Sequence, residues 1–354
     1  MTATRPKALV AMSGGVDSSV ASALLARDYD VVGIHIIKRE ISSLSDEIRL
    51  RDEESLTSAE SSAQVVGVPL ITVEAGSDFD SLIDRFCEAY NAGETPNPCV
   101  RCNVTIKWRI LLETADREGA AFVATGHYAR IEKRGSEFHL LRSRGGEKDQ
   151  TYFLHRLTQR ELSRTLFPLA DFAKSDVKAL AREMGIPAVE RAESQEICFV
   201  GSAGYREIIE RRTPDAIRPG EVVDTEGRFL GRHEGFQFYT IGQRKGLRIA
   251  LGKPAYVVSI DAKSARVTLG SSEVLLSQHC RVRDVNWISG LTPEHPFQSL
   301  VRIRYSHPGA LATVTPDGDR ALIEFHEPVK SVTPGQSAVF YSADEVLGGG
   351  VIAL

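Results

Sequence analysis

The first 125 residues alternate short apolar runs with amphipathic helical patterns, and this alternation restricts the fold more than any other feature. The run Val31–Ile37 is almost continuously apolar, as in a strand that is buried on both faces of a parallel sheet. The apolar runs are Lys7–Met12, Val31–Ile37, Leu70–Val73 and Ala121–Thr125, and the helical patterns are Val20–Arg27, Ser58–Val66 and Ile106–Arg117. This β-α-β-α order predicts an α/β fold with an N-terminal doubly wound parallel sheet.

The pattern changes after about residue 205, where glycine and proline separate short β-rich runs. Several of these runs alternate apolar and polar residues, as half-buried antiparallel strands do. The runs are Glu221–Val223, Phe236–Ile241, Ala255–Ile260, Arg266–Leu269, Leu300–Tyr305, Ala310–Thr315, Arg320–Phe325 and Ser337–Tyr341. We therefore predict three domains: an α/β domain over residues 1–205, a small β-rich linking domain over 206–273 and a C-terminal β-barrel over 274–354.

Two further segments of the first domain carry weaker patterns. Arg39–Glu54 is polar and charged without a clear period, which predicts a mobile loop or an irregular helix. Ser175–Met184 has a helical pattern, for which Ser175 is the expected N-cap and Gly185 the expected end.

The composition is that of an ordinary globular protein, since 42% of the 354 residues are hydrophobic and 25% are charged. No apolar run is long enough to span a membrane and the N-terminus lacks the pattern of a secretion signal, so we expect a cytoplasmic protein. The net charge of −4 does not by itself indicate nucleic-acid binding, although a locally basic surface is sufficient to bind phosphates. The five cysteines are an odd number, and a disulfide is the weakest explanation for them in a reducing compartment.

The segment SGGVDSS, Ser13–Ser19, connects the first predicted strand to the first helix. Gly14 and Gly15 allow a tight turn and a close approach to a ligand, and the start of the helix supplies N–H groups and a positive dipole end. The three serines add hydroxyl donors, so the segment predicts a loop that binds pyrophosphate. It has neither the lysine of a Walker A loop nor the G-x-G-x-x-G spacing. Asp17 is either a carboxylate beside a magnesium ion or an acid that favours the helix start.

Three of the five thiols are candidates for chemistry. Cys99 and Cys102 stand in the stretch PNPCVRCN, and Cys198 stands in SQEICFVG. We expect Cys87, in a helical pattern, and Cys280, in the β-rich part, to lie in the core, as most free cysteines do. The spacing of Cys99 and Cys102 suits a disulfide, a metal site or a sulfur-handling active site, and the disulfide is the weakest of the three.

Seven motifs occur in order along nearly the whole chain, and together they resemble the tRNA-specific 2-thiouridylase family of the PP-loop ATP pyrophosphatases. The motifs are AMSGGVDSSV, TPNPCVRCNVTIKW, ATGHYAR, KDQTYFL, SQEICFVG, FYTIGQRKGL and PGQSAVFY. The resemblance implies a first domain of the adenine nucleotide alpha hydrolase type. It also implies an enzyme that uses ATP to adenylate the C2 oxygen of a wobble uridine in tRNA and then replaces that oxygen with sulfur.

The same resemblance implies substrates, partners and site residues. The substrates would be ATP with Mg²⁺ and the tRNAs for Lys, Glu and Gln, the partner would be a sulfur donor or relay protein, and no membrane is implied. The ATP-binding residues would be Ala11, Met12, Ser13, Gly14, Gly15, Val16, Asp17, Ser18, Ser19, Ile36 and Gly126. The residues that meet the target base or the tRNA would be Asn97, Pro98, Cys99, Lys148, Asp149, Gln150, Arg304 and Tyr305. His127 and Gln336 would support activity, although a histidine at a strand end can also be structural.

Two interpretations of the thiols follow from the resemblance. In the first, Cys198 carries sulfur as a persulfide and Cys102 releases it by forming a disulfide with Cys198, which requires thiolates and basic neighbours such as Lys107. In the second, Cys99, Cys102 and Cys198 are the ligands of a [4Fe–4S] cluster with one open iron. Many family members have aspartate where this chain has Cys99, and the C-x-x-C form, which can close a cluster, favours the second interpretation. The chain also has Ile36 where the family often has a methionine against the adenine.

Two other functions share some of these features. An amide-forming ligase that is similar to argininosuccinate or GMP synthetase would use the same phosphate loop without needing three paired thiols. A non-catalytic RNA-binding protein would need neither an intact SGGVDSS loop nor Cys102 together with Cys198.

Overall fold

The structure is a computed structural model that describes residues 5–353 except 39–40, 42–44, 146–147, 191–196, 248, 250–251 and 253. The helices are α1 (Val16–Leu25), α2 (Asp46–Val66), α3 (Gly76–Asn91), α4 (Pro98–Cys102), α5 (Arg109–Glu118), α6 (Gln159–Ser163), α7 (Lys174–Glu183) and α8 (Tyr205–Arg212). The strands of the first 200 residues are β1 (Lys7–Ala11), β2 (Asp30–Ile37), β3 (Leu70–Glu74), β4 (Phe122–Ala124), β5 (Ala129–Arg134), β6 (Glu137–Arg142) and β7 (Thr165–Leu166). The later strands are β8 (Gly220–Asp224), β9 (Phe229–His233), β10 (Tyr256–Asp261), β11 (Arg266–Gly270), β12 (Leu276–Trp287), β13 (Phe297–Arg302), β14 (Ala310–Asp317), β15 (Arg320–Lys330), β16 (Ser337–Ser342) and β17 (Glu345–Ala353).

The N-terminal sheet is parallel and has the strand order β3-β2-β1-β4-β7. Successive residues of β1 point to opposite faces, so Leu9 packs among residues of α3 and α5, whereas Val10 packs with Leu25 of α1. Helices therefore cover both faces, which confirms the predicted doubly wound sheet. The chain reverses its direction of growth between β1 and β4, and ligands of such sheets bind at the carboxyl ends of the strands around this point.

The C-terminal β-barrel is also confirmed. Six antiparallel strands follow the order β12-β15-β14-β13-β16-β17, and β12 pairs with β17 to close the barrel. The hairpin β5–β6 extends this sheet, because Leu140 and Leu141 pair with Val346 and Glu345 of β17. The linking region contains a separate sheet of the order β10-β11-β8-β9.

Three local predictions are wrong. Residues 46–54 of the segment Arg39–Glu54 form the regular first half of α2, which packs through buried Ile48 and Asp52, while 39–40 and 42–44 lie outside the described residues. Phe236–Ile241 is not a strand: residues 236–238 form a 3₁₀ turn, in which the buried Gln237 side chain donates to the Ala216 carbonyl at 2.6 Å. Ser175 lies inside α7, whose N-cap is Ala173.

Candidate active site

The phosphate loop lies where β1 ends and α1 begins, at the carboxyl edge of the parallel sheet. Gly14 has a φ of +74°, a conformation that side chains with a Cβ rarely adopt, and it gives the chain its sharp turn. Gly15 is the N-cap of α1, and within the described residues no side chain caps it. The first N–H groups of a helix have no partner within the helix, so this end of α1 is suited to an anion.

Hydrogen bonds from α2 fix the loop from the outside. Ser55 donates to the carbonyl of Ser13 at 2.7 Å, and Ser58 donates to the carbonyl of Gly14 at 2.9 Å. Within the loop, the Ser18 and Ser19 hydroxyls both donate to the carbonyl of Gly15 at 3.0 Å. The loop carbonyls are thus turned toward serine side chains, and these hydrogen bonds restrain the shape of the loop backbone.

Asp17 is the centre of a small ion-pair network at the start of α1. Its Oδ1 accepts hydrogen bonds from the Tyr128 hydroxyl at 2.8 Å and from Nζ of Lys174 at 2.5 Å, and Nζ of Lys148 lies 3.8 Å from its Oδ2. Gly126 passes directly beside this turn, because a Cβ on it would meet backbone atoms of Asp17 at 2.7 Å. The carboxylate of Asp17 is thus engaged by three side chains of the protein itself.

His127 follows β4 and is half-buried between the rings of Trp108 and Phe167. Its Nδ1 lies 2.8 Å from Oγ1 of Thr125. Burial, aided by the nearby ammonium of Lys107, lowers the pKa of His127 to about 3. The imidazole is therefore neutral at physiological pH and can act as a hydrogen-bonding group but not as a cation.

The segment after Lys148 connects the nucleotide region to the barrel. Oδ2 of Asp149 accepts a hydrogen bond from Nη1 of Arg302, on β13, at 3.1 Å. Oε1 of Gln150 accepts a hydrogen bond from the backbone N–H of Tyr128 at 2.9 Å. These two side chains, for which the resemblance implies tRNA contact, are engaged with the protein itself in this structure.

The cysteine helix is α4, and it continues through a π-helical segment, Asn103–Trp108, into α5. Such segments are rare and often occur at functional sites. Cys99 is half-buried and Cys102 is buried on this helix, while Cys198 is exposed on a separate turn. All five cysteines are free thiols, and Cys87 and Cys280 lie in the core as predicted.

Two lysines provide the positive charge of the thiol region. Burial raises the pKa of Cys99 to about 11 and that of Cys102 to about 12, although Lys107 opposes both shifts. Burial also disfavours the charge of Lys38, but the attraction of Cys198 and of Asp52 outweighs it and raises the pKa of Lys38. The expected basic neighbour Lys107 is therefore present, but desolvation dominates and keeps the helix thiols protonated.

The turn that carries Cys198 is anchored by its neighbours. Phe199 and Val200 are buried in the core of the first domain, and the Phe199 ring lies 5.3 Å from the Phe86 ring, edge to face. The Ser202 hydroxyl donates to the Glu47 carboxylate at 2.8 Å. The first three residues of the motif SQEICFVG, 194–196, lie outside the described residues.

The structure does not bring the three candidate thiols into a ligand set. Over the described ranges, no three histidine, cysteine or acidic side chains form a group that could hold a metal ion. The cluster interpretation of Cys99, Cys102 and Cys198 therefore has no support from this arrangement.

Two predicted tRNA-contacting residues, Arg304 and Tyr305, lie near the cysteine helix. Nδ2 of Asn103 donates to the carbonyl of Phe153 at 2.9 Å, and the Phe153 ring lies 4.6 Å from the ring of Tyr305, which is exposed on the barrel. Arg304 is half-buried beside it and donates to the carbonyl of Lys330 at 3.3 Å. An exposed aromatic ring and an arginine thus stand next to the helix that carries the thiols.

Two further predictions concern single residues. Nε2 of Gln336 donates to the carbonyl of Thr95 at 2.8 Å, which places it beside the stretch that contains Asn97 and Pro98. Ile36 is half-buried near the carboxyl end of β2.

The sequence alone does not identify several residues that contact the phosphate loop, Asp17 or the thiols. They are Lys38, Ser55, Ser58, Tyr128 and Lys174. Tyr128 stands within the motif ATGHYAR, which is the one local signal that could have identified any of them. The others are ordinary surface residue types in stretches without a motif.

Three family descriptions match consecutive parts of the chain. Residues 6–202 match "tRNA methyl transferase HUP domain", residues 206–271 match "tRNA methyl transferase PRC-barrel domain", and residues 277–352 match "Aminomethyltransferase beta-barrel domain". The first match alone covers more than half of the chain. Within the described residues, no helix is both long and apolar enough to cross a membrane.

Curated relatives match the chain from end to end. The protein named tRNA-specific 2-thiouridylase MnmA from Geobacter metallireducens is 44% identical over 98% of this chain and 97% of its own length. The protein of the same name from Moorella thermoacetica is 43% identical over 97% of this chain and 98% of its own length. A solved structure, a predicted subunit of tRNA methyltransferase from Methanocaldococcus jannaschii, is 18% identical, covers 50% of this chain and 76% of its own, and has a TM-score of 0.31, which is too low to support an argument.

Proposed function

The chain belongs to the tRNA-specific 2-thiouridylase family and is a tRNA-uridine 2-sulfurtransferase, and from this premise we propose how its phosphate loop and its thiols divide the reaction. The proposed substrates are ATP and the wobble uridine of the tRNAs for Lys, Glu and Gln. A donor or relay protein supplies the sulfur. The reaction takes place in the cytoplasm, where free thiols stay reduced.

The first proposed step activates the uridine. The C2 oxygen is a poor leaving group, so it attacks the α-phosphorus of ATP, a bond to AMP forms, and pyrophosphate leaves. The N–H groups at the start of α1 hold the phosphates, and Ile36 and Gly126 lie beside the nucleotide. Neutral His127 supports this step through a hydrogen bond.

Mg²⁺ would neutralise phosphate charge and orient the leaving pyrophosphate. Asp17 carries the carboxylate of the loop, but Tyr128, Lys174 and Lys148 already engage its two oxygens. We therefore assign Asp17 to positioning the loop.

The second proposed step transfers sulfur. The terminal sulfur of a Cys198 persulfide attacks C2, and AMP leaves with the former C2 oxygen. Cys102 then attacks Sγ of Cys198, the bond between that Sγ and the uridine-bound sulfur breaks, and the electron pair stays on the uridine sulfur. The products are 2-thiouridine and a Cys102–Cys198 disulfide, which a thiol reductant must reduce before the next turnover.

The placement of the thiols supports this division of roles. Cys198 is exposed, so another protein can load it, whereas Cys102 is buried and protected from wasteful oxidation. Lys38 attracts the thiolate forms of both. An iron–sulfur cluster is not part of this proposal, because the three cysteines do not form a ligand set among the described residues.

The observation that carries the proposal is that the first domain holds both a phosphate loop restrained by serine side chains and two cysteines that interact with one lysine. The test is a reaction of the persulfide-loaded protein with ATP and tRNA, in which AMP, pyrophosphate and 2-thiouridine are measured together. We expect the three products in equal amounts, and only with tRNA. AMP formation with free amino acids or purine nucleotides in place of tRNA would instead identify an amide-forming ligase.

A further inference from the structure

The segment Gly93–Thr95 connects α3 to the cysteine helix α4, and it contacts both of the other β-rich regions. A Cβ on Gly93, whose φ is +78°, would meet Ile260 and Ala262 of the linking region at 3.4 and 3.5 Å. The next two residues bond to the barrel. The stretch that leads into the cysteine helix is therefore held from outside the domain to which it belongs.

Glu94 forms an ion pair with Arg283 of the barrel strand β12. Nη2 of Arg283 lies 2.8 Å from each of the two carboxylate oxygens of Glu94. The carboxylate of Glu94 is mostly buried, with 18% of its side chain exposed, so water screens this pair less than a pair on the open surface. Charge-assisted bonds of this kind fix geometry as well as adding energy.

An irregularity of β12 aims Arg283 at its partner. The pairing of β12 with β17 shifts register between Arg283 and Asn286, and Asp284 adopts a φ of +52° there. Bulges of this type turn a side chain away from its regular direction and recur at functional positions. The bulge also lets Nη1 of Arg283 reach Oδ2 of Asp284 at 3.1 Å, which further restrains the guanidinium.

Two hydrogen bonds between Thr95 and the segment 334–336 lie next to the ion pair. The N–H of Thr95 donates to the carbonyl of Pro334 at 2.8 Å, and Nε2 of Gln336 donates back to the carbonyl of Thr95 at 2.8 Å. Gly335 makes this approach feasible, because a Cβ on it would lie 2.8 Å from the Thr95 nitrogen. The two proline residues that follow, Pro96 and Pro98, restrict the chain between this contact and Cys99.

We propose that the barrel sets the position of the cysteine helix through the Glu94–Arg283 pair and the Thr95–Gln336 contact, which makes Glu94 and Arg283 positioning residues for sulfur transfer. The proposal rests on the proposed function and adds the route by which the barrel acts on the thiols. The stiff Thr95–Cys99 stretch transmits a displacement at Glu94 to Cys99 and Cys102. A small misplacement of a reacting group is enough to slow a reaction strongly.

The test is a double-mutant cycle with Glu94→Gln, Arg283→Gln and the double variant, measured in single-turnover thiolation at saturating tRNA. We expect each single variant to slow the step by about three- to tenfold with an unchanged Kd for tRNA, and the double variant to be no slower than either single variant. The control is Arg281→Gln, which removes an exposed positive charge two residues away on the same strand and should leave the rate unchanged.

Two results of this cycle would overturn the proposal. If Arg283→Gln weakens tRNA binding while the rate at saturation stays the same, Arg283 binds tRNA directly. If the losses of the two single variants multiply in the double variant, the two side chains do not act as a pair.

A second readout does not depend on the proposed function. Amide hydrogen exchange over Val100–Asn103 should become about three- to tenfold faster in Glu94→Gln and in Arg283→Gln, but not in Arg281→Gln, while α1 is unaffected. Unchanged exchange in both variants would refute the positioning role. If the wild-type protein makes no 2-thiouridine, the proposed function fails, and this second readout still decides the positioning proposal.

Discussion

The phosphate loop and the thiol region lie at the same carboxyl edge of the first sheet, but they are prepared for chemistry to different degrees. Serines of α2 hold the loop carbonyls at 2.7 and 2.9 Å, and Gly14 already has the turn conformation that an anion site needs. In the thiol region, burial raises the pKa of Cys99 to about 11 and that of Cys102 to about 12. The first site is shaped by its backbone and by serine hydrogen bonds, whereas burial keeps the helix thiols of the second site protonated.

The low reactivity of the buried thiols suits an enzyme that activates the uridine first and transfers sulfur second. A protonated, buried thiol does not react with oxidants or with other thiols, so Cys102 is kept for the moment at which a persulfide and an activated uridine are present. We therefore expect the thiol region, and not the phosphate loop, to change when tRNA binds.

Loss of either transfer thiol should abolish sulfur transfer and leave tRNA binding intact. In Cys198→Ser and in Cys102→Ser, we expect 2-thiouridine formation to fall by about 10³-fold or more, because each variant lacks a group whose bond is made or broken. Binding of tRNA, measured by filter retention, should be unchanged. The control Cys280→Ala, in the barrel core, should keep its rate, and 2-thiouridine formation in either serine variant would contradict the persulfide route.

A methyl group at Gly126 should impair the reaction with ATP without changing the thiol region. In Gly126→Ala, the new Cβ would lie 2.7 Å from backbone atoms of Asp17 and Ser18, so the start of α1 must move. We expect tRNA-dependent AMP formation to fall by about 10²-fold, while the alkylation rate of Cys198 stays the same. The control Gly67→Ala, at a φ of +77° with open space around it, should cost about 1 kcal/mol of stability and no activity. Equal activity of Gly126→Ala and wild type would show that the loop is less rigid than described.

Removal of the lysine that the two transfer thiols share should weaken the thiol region moderately. In Lys38→Met, we expect single-turnover thiolation of tRNA to slow by about three- to tenfold, because the variant loses a positive charge that interacts with both transfer thiols. Lys38→Arg keeps the charge and the ion pair with buried Asp52, so it should retain most of the rate. An equal loss in both variants would mean that Lys38 acts through packing. Lys263→Met, on the exposed surface of the linking region, is the control for total charge.

The smallest expected effect concerns stability and pH. Burial lowers the pKa of His127 to about 3, so between pH 6.5 and pH 4 an unfolded chain takes up a proton on this imidazole and the folded chain does not. The free energy of unfolding should therefore decrease as the pH is lowered from 6.5 to 4, and His127 contributes up to about 1.4 kcal/mol of this decrease per pH unit. In His127→Gln, urea unfolding from pH 6.5 to pH 4 should show a shallower decline. If the free energy of unfolding declines equally with pH in both proteins, the pKa of His127 is not lowered in the folded protein.

The sequence predicts the sheet and the phosphate loop because both are encoded locally. The apolar run Val31–Ile37 and the segment Ser13–Ser19 each contain their own signal. The hairpin β5–β6 escapes prediction, because its partner strand β17 lies about two hundred residues later in the chain. Residues 46–54 escape for another reason: only one narrow stripe of this polar helix, with Ile48, is buried, so no apolar period appears.

In the candidate site, too, the sequence predicts what is encoded locally. Motifs identify Cys102 and Cys198, whose thiols take part in the reaction, and Gly126, whose lack of a side chain leaves room beside the phosphate loop. Lys38 and Lys174 act through space on groups that are distant in sequence, and an ordinary lysine carries no local signal of that role. The protonated state of Cys102 is equally hidden, because it depends on how much solvent the finished core excludes.

In the proposed reaction, the ATP site activates the tRNA, and Cys102 resolves the persulfide of Cys198 after its outer sulfur has bonded to the uridine. The most direct test is a single turnover of iron-free protein with a persulfide on Cys198, supplied with ATP and tRNA and followed by mass spectrometry. We expect one AMP, one pyrophosphate, one 2-thiouridine and one Cys102–Cys198 disulfide per reacting chain. Formation of 2-thiouridine only after reconstitution with iron and sulfide, with the loss of that activity in Cys99→Ala, would contradict it.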